Sequence, residues 1–310
     1  MRFFLACALL ASSCGDNDGN SAAIDAFVPR VDAATDAQAI DAAIDLRGPR
    51  TVTLPGGANS VLWDNATGTL FLTDNNGIRL MRYKDATGLE QVSTLPNAGM
   101  ISLGDIVKET DGTILVANFG FGATGTIFAL PPTGPAVPFT GLAADRKRVG
   151  LVKDSAGQHY TSYFTGAGAT PVGGVSSLAI AGTVATETDL ATTFAFKKLV
   201  GIVAHTDAVF VSDQTQKKIF KIALPAQTVT TLADVPSADL LAEMPNGDLL
   251  TSGTAVHRIT PAGVVTLTDL GTFESVRGMA YDNTLKRLFL IEHSTTVGVL
   301  DRLHILPLDE

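Results

Sequence analysis

The chain has 310 residues, with 30 glycines, 17% charged residues and a formal net charge of -9. Because it is mildly acidic and contains no basic stripe with interleaved aromatic residues, its composition argues against nucleic-acid binding. Both cysteines, Cys7 and Cys14, lie close to the N-terminus. The rest of the chain can therefore form no disulfide, no cysteine-ligated zinc site and no thiol nucleophile.

The N-terminus has the pattern of an export signal. Arg2 precedes the apolar run Phe3 to Ala11, which is too short to span a bilayer, and Ser12-Ser13-Cys14 follows. This ending resembles a bacterial lipobox, in which the cysteine becomes the lipidated first residue of the mature protein, although Ala11 stands where leucine is usual. We predict a signal peptide over residues 1–14, lipidation at Cys14 and attachment to a membrane surface of the bacterial cell envelope. Secretion without an anchor is the alternative.

Residues 15–49 are rich in alanine and aspartate, with Asp-Ala pairs at Asp25, Asp32, Asp36 and Asp41. This spacing is compatible with a helix, but Pro29 interrupts the pattern and bulky apolar residues are scarce. The segment is therefore predicted to be a solvated, disordered tether. The rest of the chain, residues 50–310, is predicted to form one folded domain, which is long enough to bury a substantial core.

A short motif, made of a small residue, an apolar run and a polar end, recurs six times at intervals of roughly 40 to 50 residues. The copies are GTLFLTD (Gly68 to Asp74), GTILVAN (Gly112 to Asn118), GQHYTSY (Gly157 to Tyr163), DAVFVSD (Asp207 to Asp213), GDLLTSG (Gly247 to Gly253) and KRLFLIE (Lys286 to Glu292). Each copy is too short for a helix, and other strand-like runs surround it. In the first repeat these runs are Ser60 to Asp64, Ile78 to Tyr83 and Glu90 to Leu95. The pattern predicts an all-β, six-bladed β-propeller of four-stranded blades.

The outer strand is absent from the end of the sixth repeat, because the chain stops at Glu310 soon after the third strand. A strand-like run, RTVTLPGG from Arg50 to Gly57, stands before the first inner strand without a blade of its own. We predict that Thr51 to Leu54 pairs with the C-terminal blade and closes the ring, since closure removes an unpaired edge.

Polar residues are predicted to line one mouth of the central channel, because inner-strand starts and second-strand ends meet on one face of an antiparallel blade. The candidate ligand-binding residues there are Asp74, Asp105, Arg148, Tyr163, Arg277 and Glu292. Carboxylate and amide oxygens are ligands that Ca²⁺ prefers. The candidate metal ligands are therefore Asn59, Asn118, Asp213 and Asp239. The alternative is that Asp and Asn at strand ends cap turns through their own side chains.

The runs Gly57 to Asp64, Arg148 to Tyr160 and Arg277 to Asp282 resemble the senescence-marker/gluconolactonase-type and NHL-repeat propellers. For the lactonase group, the resemblance implies a divalent metal, commonly calcium, that sits in the channel mouth and polarises a lactone carbonyl. The expected glutamate ligand falls on Asn59 and the expected asparagine ligand on Val200, while Asp239 lies within one position of the aspartate ligand. The substrate-contacting Asn-Asp-Gly of the family aligns with Arg148-Val149-Gly150, where only the glycine is kept. These departures argue against ordinary lactonase chemistry and leave a rebuilt site open.

Other catalytic patterns are weak in this sequence. Gly120, Gly122 and Gly125 match GxGxxG, but this segment joins two predicted strands instead of opening a helix. Of the five histidines, His293 beside Glu292 is the candidate general base at the channel mouth. The leading hypothesis is an exported, lipid-anchored monomer that binds a small ligand or protein partner at the channel mouth. The alternative is a calcium-dependent lactonase or ester hydrolase with an altered ligand set.

Overall fold

Short antiparallel strands make up the regular structure of the protein. The computed structural model describes residues 45–96, 102–120, 125–166 and 170–309, and within these ranges it contains 24 strands and no helix. No part of the described chain therefore offers a helix able to cross a membrane. The predicted signal peptide, Cys14 and most of the predicted tether lie outside the described residues.

The strands form six sheets of four, and each sheet is one blade. Blade 1 contains β2 (Ala58–Asp64), β3 (Thr69–Asp74), β4 (Arg79–Lys84) and β5 (Gly88–Thr94). Blade 2 contains β6 (Leu103–Lys108), β7 (Ile114–Asn118), β8 (Thr126–Leu130) and β9 (Val137–Pro138). Blade 3 contains β10 (Lys147–Lys153), β11 (His159–Thr165), β12 (Val172–Ala181) and β13 (Val184–Leu190).

The second half of the chain repeats this order. Blade 4 contains β14 (Leu199–Ala204), β15 (Ala208–Asp213), β16 (Lys218–Ala223) and β17 (Thr228–Asp234). Blade 5 contains β18 (Leu241–Glu243), β19 (Leu249–Ser252), β20 (Val256–Ile259) and β21 (Val265–Leu267). Blade 6 contains β22 (Val276–Asp282), β23 (Arg287–Glu292), β24 (Arg302–Pro307) and the N-terminal strand β1 (Arg50–Thr53).

The pairing of β1 with β24 confirms the predicted closure. The register places Thr51 opposite His304 and Val52 opposite Leu303. Leu54 lies just beyond the paired segment, but its backbone N–H donates to the carbonyl of Asp301 at 2.9 Å and its side chain is fully buried. The inner strands contact one another in the cyclic order β2, β6, β10, β14, β18, β22 and back to β2. The six-bladed propeller is therefore a closed ring.

The apolar cores lie between neighbouring blades. One cluster joins blades 6 and 1 and includes Leu72, Phe289 and Ile305, and an equivalent cluster fills each of the other five blade interfaces. A second strand such as β15 is buried along its whole length because a neighbouring blade covers each of its faces. This double burial explains why the repeated motif is a continuous apolar run, as expected for a strand covered on both faces.

Inner strands approach one another so closely that side chains are excluded at several positions. A Cβ atom on Gly104 would overlap the carbonyl oxygen of Val149 in the next blade, and one on Gly150 would overlap Ser162 Oγ and the backbone of Val200. Each of five inner strands also carries a register shift near its start, in blades 1, 2, 3, 4 and 6. A bulge of this kind re-aims the side chains beside it.

Candidate functional site

Two faces of the ring are distinguished by strand direction. The side on which the inner strands begin and the second strands end is called the upper face, and the opposite side is called the lower face. Five backbone pairs bring these ends together. They are Ala58 with Asp74, Leu103 with Asn118, Arg148 with Tyr163, Leu199 with Asp213, and Val276 with Glu292. The predicted polar residues thus share the upper face, but their side chains have different partners.

Asp74 and Asp213 cap the turns that follow their strands. Asp74 Oδ1 accepts hydrogen bonds from the N–H groups of Asn76 and Gly77 at 3.0 and 3.2 Å, while its Oδ2 accepts one from Arg79 Nε at 2.6 Å. Five donors bind the Asp213 carboxylate: Lys197 N, Lys198 N, Thr215 N, Gln216 N and Gln216 Nε2. Both carboxylates are buried and occupied by their own loops.

Arg148 is fully buried and is used to join blades. Its guanidinium donates to both carboxylate oxygens of Glu187 at 2.8 to 3.0 Å and to the carbonyls of Gly125 and Ala143 at 2.7 and 2.8 Å. A bidentate pair with additional carbonyl acceptors satisfies the donors of the guanidinium. Arg148 therefore contributes to the structure of the upper face and has no donor directed to the channel.

Tyr163 and Glu292 are also engaged. The Arg146 guanidinium lies 4.1 Å from the centre of the Tyr163 ring, and the Tyr163 hydroxyl donates to Asp189 at 3.3 Å. Burial raises the pKa of Tyr163 to about 12, so the phenol stays protonated. Glu292 Oε2 lies 2.9 Å from His304 Nε2. Asn118 is buried at the end of β7.

Asp105 and Asp239 differ from these residues because few donors reach their carboxyl groups. Asp105 accepts a hydrogen bond from Ser60 Oγ at 2.7 Å and a long one from Leu151 N at 3.4 Å. Asp239 Oδ2 accepts one from Gln214 Nε2 at 3.3 Å. These two carboxyl groups are the under-bonded acids of the upper face.

Burial raises the pKa of Asp105 to about 7, and the hydrogen bonds from Ser60 and Leu151 oppose the rise only in part. The negative charge of Asp239 raises it further. Burial likewise raises the pKa of Asp239, although the positive charges of Arg277 and Lys198 act in the opposite direction. Asp105 also borders a channel space of about 280 Å³ lined by inner-strand residues of several blades, including Ser60.

His293 lies on the upper face with an orienting carboxylate that the sequence did not reveal. His293 Nδ1 is 2.9 Å from Asp301 Oδ1, and the Asp301 carboxylate also accepts hydrogen bonds from Ala58 N and Ser294 N at 3.0 and 3.1 Å. About a third of the His293 side chain, 36%, is exposed. Asp301 was missed because it is eight residues from His293, across a loop that carries no recognisable motif.

The candidate calcium ligands do not form a protein-ligated calcium site. Five donors already cover the Asp213 carboxylate, and Asn59 Nδ2 donates to the Leu103 carbonyl at 2.5 Å, which fixes the side-chain amide but leaves its Oδ1 unused by that bond. Across the described ranges, no group of three or more His, Cys, Asp or Glu side chains is arranged to hold a metal ion. Calcium requires six to eight converging oxygens, and this donor set does not fit it.

A cavity of about 720 Å³ lies on the lower face and not at the predicted mouth. It is lined by the lower ends of the inner strands of blades 1, 2 and 3 and by the turns that follow β2 and β6. Its walls include Trp63, Asp64, Lys108, Glu109 and Lys153. Sequence reasoning missed it because that reasoning followed the starts of inner strands, whereas these residues are at their ends.

Comparisons with known proteins support the fold. No protein-family profile matches the sequence, and no curated protein sequence matches it significantly. Among solved structures, the chain is similar to a gluconolactonase from Xanthomonas campestris, with a TM-score of 0.65, 17% identity and coverage of 84% of this chain and 91% of that one. It is also similar to the calcium-binding protein regucalcin from Agrobacterium tumefaciens, with a TM-score of 0.59, 14% identity and coverage of 84% and 95%.

A third similar structure is virginiamycin B lyase from Staphylococcus aureus, with a TM-score of 0.57, 12% identity and coverage of 84% of this chain and 99% of that one. At these identities the likeness establishes the six-bladed propeller fold. Proteins with different activities share it, so the activity of this chain has to be argued from its own site.

Proposed function

We propose that this chain is an exported, lipid-anchored binding propeller that takes up a small ligand in the upper part of its channel. The observation that carries the proposal is the pair of under-bonded carboxyl groups of Asp105 and Asp239. Both residues are half-buried, and partial desolvation disfavours a carboxylate that hydrogen bonds do not compensate. A ligand that supplies N–H or O–H donors would relieve this cost.

The channel space sets the size of the ligand. The space of about 280 Å³ beside Asp105 and Ser60 admits a compact molecule; it extends down the channel to Trp63 and Tyr281, and Asp239 lies next to Leu240 in its wall. Arg277, on the same face, is exposed and offers a cation near Asp239. We therefore infer a small ligand with an ammonium or hydroxyl group for the two acids.

Isothermal titration calorimetry with a series of small alkylamines and with glycerol tests this proposal. We expect saturable amine binding that strengthens as pH rises through about 7, because Asp105 then becomes a carboxylate. Asp105→Asn and Asp239→Asn should each weaken binding about tenfold or more, which corresponds to about 1.4 kcal/mol. The exposed Asp269→Asn variant is the matched control. Equal affinities in all four proteins, or no binding, would refute the proposal.

A hydrolase or lyase active at the same mouth is the second candidate. It is favoured by the contact of His293 with Asp301, since a carboxylate at Nδ1 can fix the imidazole as a general base. Similarity to the gluconolactonase also favours an enzymatic function. Turnover of glucono-lactone that disappears in His293→Ala would support catalysis. If turnover instead requires added Ca²⁺ and survives in that variant, the calcium-dependent alternative is favoured over both.

The proposed anchor is tested separately at Cys14. Mass spectrometry of the protein expressed in a bacterial host with lipoprotein processing should show a diacylated N-terminal cysteine. Cys14→Ser should move the protein from the membrane fraction to the soluble exported fraction. A variant that remains with the membrane would contradict anchoring through this residue.

A further inference from the structure

The lower-face cavity combines apolar walls with fixed charges from three blades. Leu62, Ile106, Val107, Leu151 and Val152 line it together with the polar residues Asp64, Lys108, Glu109 and Lys153. Its volume of about 720 Å³ is within the range of small-molecule sites, which are mostly apolar and contain a few placed polar groups. It adjoins the channel space beside Asp105, with which it shares Trp63 and Lys153, whereas Asp64 and Lys108 border the lower-face cavity alone.

Trp63 forms part of the cavity wall and is the only tryptophan of the chain. Its ring packs on Phe289 with the ring centres 4.8 Å apart, and its indole Nε1 donates to Asn65 Oδ1 at 3.2 Å. These contacts fix the indole while leaving it partly exposed. A fixed aromatic ring with a satisfied polar atom offers its apolar surface to another planar group.

Two lysines bring positive charge to this wall. Lys108 Nζ forms an ion pair with Asp64 Oδ2, and Lys153 Nζ donates to Glu109 Oε2 at 2.9 Å and to the Lys108 carbonyl at 3.1 Å. His159 Nε2 lies 2.5 Å from the other oxygen of Glu109. The lysines and carboxylates come from blades 1, 2 and 3, so folding of the ring assembles the cluster.

Each carboxylate oxygen of Asp64 and Glu109 has at least one protein donor, and both ammonium groups keep N–H groups without an acceptor in the described chain. Asp64 also accepts hydrogen bonds from Ala66 N and Thr67 Oγ1, so each of its oxygens has a donor. Each ammonium has three N–H groups. Lys108 uses one and Lys153 uses two, so within the described chain three N–H groups have no protein acceptor. Three N–H groups of the two lysines can therefore donate to an acceptor on a ligand.

We propose that the lower-face cavity binds a small planar apolar molecule that carries a carboxylate, an aromatic monocarboxylate in chemical terms. The ring of the ligand lies against Trp63 and the aliphatic walls, and its carboxylate accepts from Lys108 and Lys153. A neutral amide would gain fewer charge-assisted hydrogen bonds from these ammonium groups. The carboxylate is thus the group that distinguishes the preferred ligand.

Fluorescence of Trp63 tests the site directly because no other tryptophan contributes to the signal. The full chain is titrated with cinnamate and with cinnamamide, two probes of the same ring and similar size that differ in charge. We expect a saturable change with cinnamate and an affinity about tenfold or more lower for cinnamamide, in line with the strength of charge-assisted hydrogen bonds. This comparison uses the wild-type protein and needs no substitution.

Substitutions then locate the contact. Lys108→Met and Lys153→Met should each bring the affinity for cinnamate to that for cinnamamide, while Lys197→Met, on the upper face, should leave it unchanged. Thermal midpoints identify any variant that fails to fold. The proposal is overturned by the absence of a saturable change, by equal affinity for acid and amide, or by loss of binding in Asp105→Asn with both lower-face variants unaffected.

Discussion

Replacing Asp105 by asparagine should stabilise the propeller at neutral and alkaline pH and leave its stability near pH 4 almost unchanged. Burial raises the pKa of Asp105 from 3.8 to about 7 in the folded protein, whereas the unfolded chain releases the proton near its ordinary pKa. The folded state therefore binds more protons between these values. The stability contributed by this group is fully present below about pH 4 and is lost as pH rises through about 7.

The size of the effect follows from the pKa difference. At about 1.4 kcal/mol for each pKa unit, a rise from 3.8 to about 7 corresponds to a loss of about 4 kcal/mol. Water that reaches the channel lowers the desolvation penalty, so we expect Asp105→Asn to gain about 2 to 4 kcal/mol at about pH 8. The neutral amide keeps the shape of the protonated acid and therefore adds little at about pH 4.

Urea unfolding of both proteins at several pH values measures this difference, provided that the denaturant slope is the same for both. Asp269→Asn, at an exposed site, should show no such pH-dependent gain. If Asp105→Asn changes stability equally at about pH 4 and about pH 8, the pKa of Asp105 is the same in the folded and unfolded protein, and the argument from burial is refuted.

Two further substitutions and one deletion test the contacts that hold the ring together. Arg148→Met removes the bidentate partner of Glu187, which keeps Arg146 at 3.6 Å and the Ala143 N–H at 2.9 Å, and should cost about 3 kcal/mol in urea unfolding. Adding Glu187→Leu should restore much of the loss, and no restoration would contradict the pair. Gly150→Ala places a methyl group against Ser162 Oγ and should cost about 1 to 3 kcal/mol, with an unchanged thermal midpoint as the contrary result. Deleting residues 1–54 removes the closing strand and should lower the thermal midpoint and cause self-association through the open edge, while deleting residues 1–44 should not.

The architecture could be predicted from the sequence because it depends on repetition. Six apolar runs at a common interval imply six equivalent units. Because the last repeat lacks an outer strand, another segment of the chain is expected to supply it. The prediction of Thr51 to Leu54 differs from the observed strand, Arg50–Thr53, by one residue. Leu54 reads as strand because it is apolar, but in the structure it fills the core between blades 6 and 1.

The roles of individual polar residues were harder to predict because the sequence does not show which donors surround them. Asp74 and Asp213 stand at strand ends, where a metal ligand could also stand. In the structure, backbone N–H groups of the following turns donate to both carboxylates. The partner of Arg148, Glu187, is 39 residues away in the outer strand of the same blade. Such a contact depends on the tertiary fold and has no local signal.

The channel chemistry depends on bulges, which strict alternation along a strand does not reveal. The shifts in register fall at Asn59-Ser60 in blade 1, at Gly104-Asp105 in blade 2 and at Arg277 in blade 6. In blades 3 and 4 they fall at Val149 and at Val200-Gly201, which carry no polar side chain. Because bulged residues are re-aimed relative to the ladder, blades 1, 2 and 6 contribute polar groups and blades 3 and 4 an apolar wall. A ligand in the upper channel should therefore turn its polar end towards blades 1, 2 and 6 and towards Asp239, which precedes β18 of blade 5. Val200→Asp should disturb binding by adding a third acid on the apolar side.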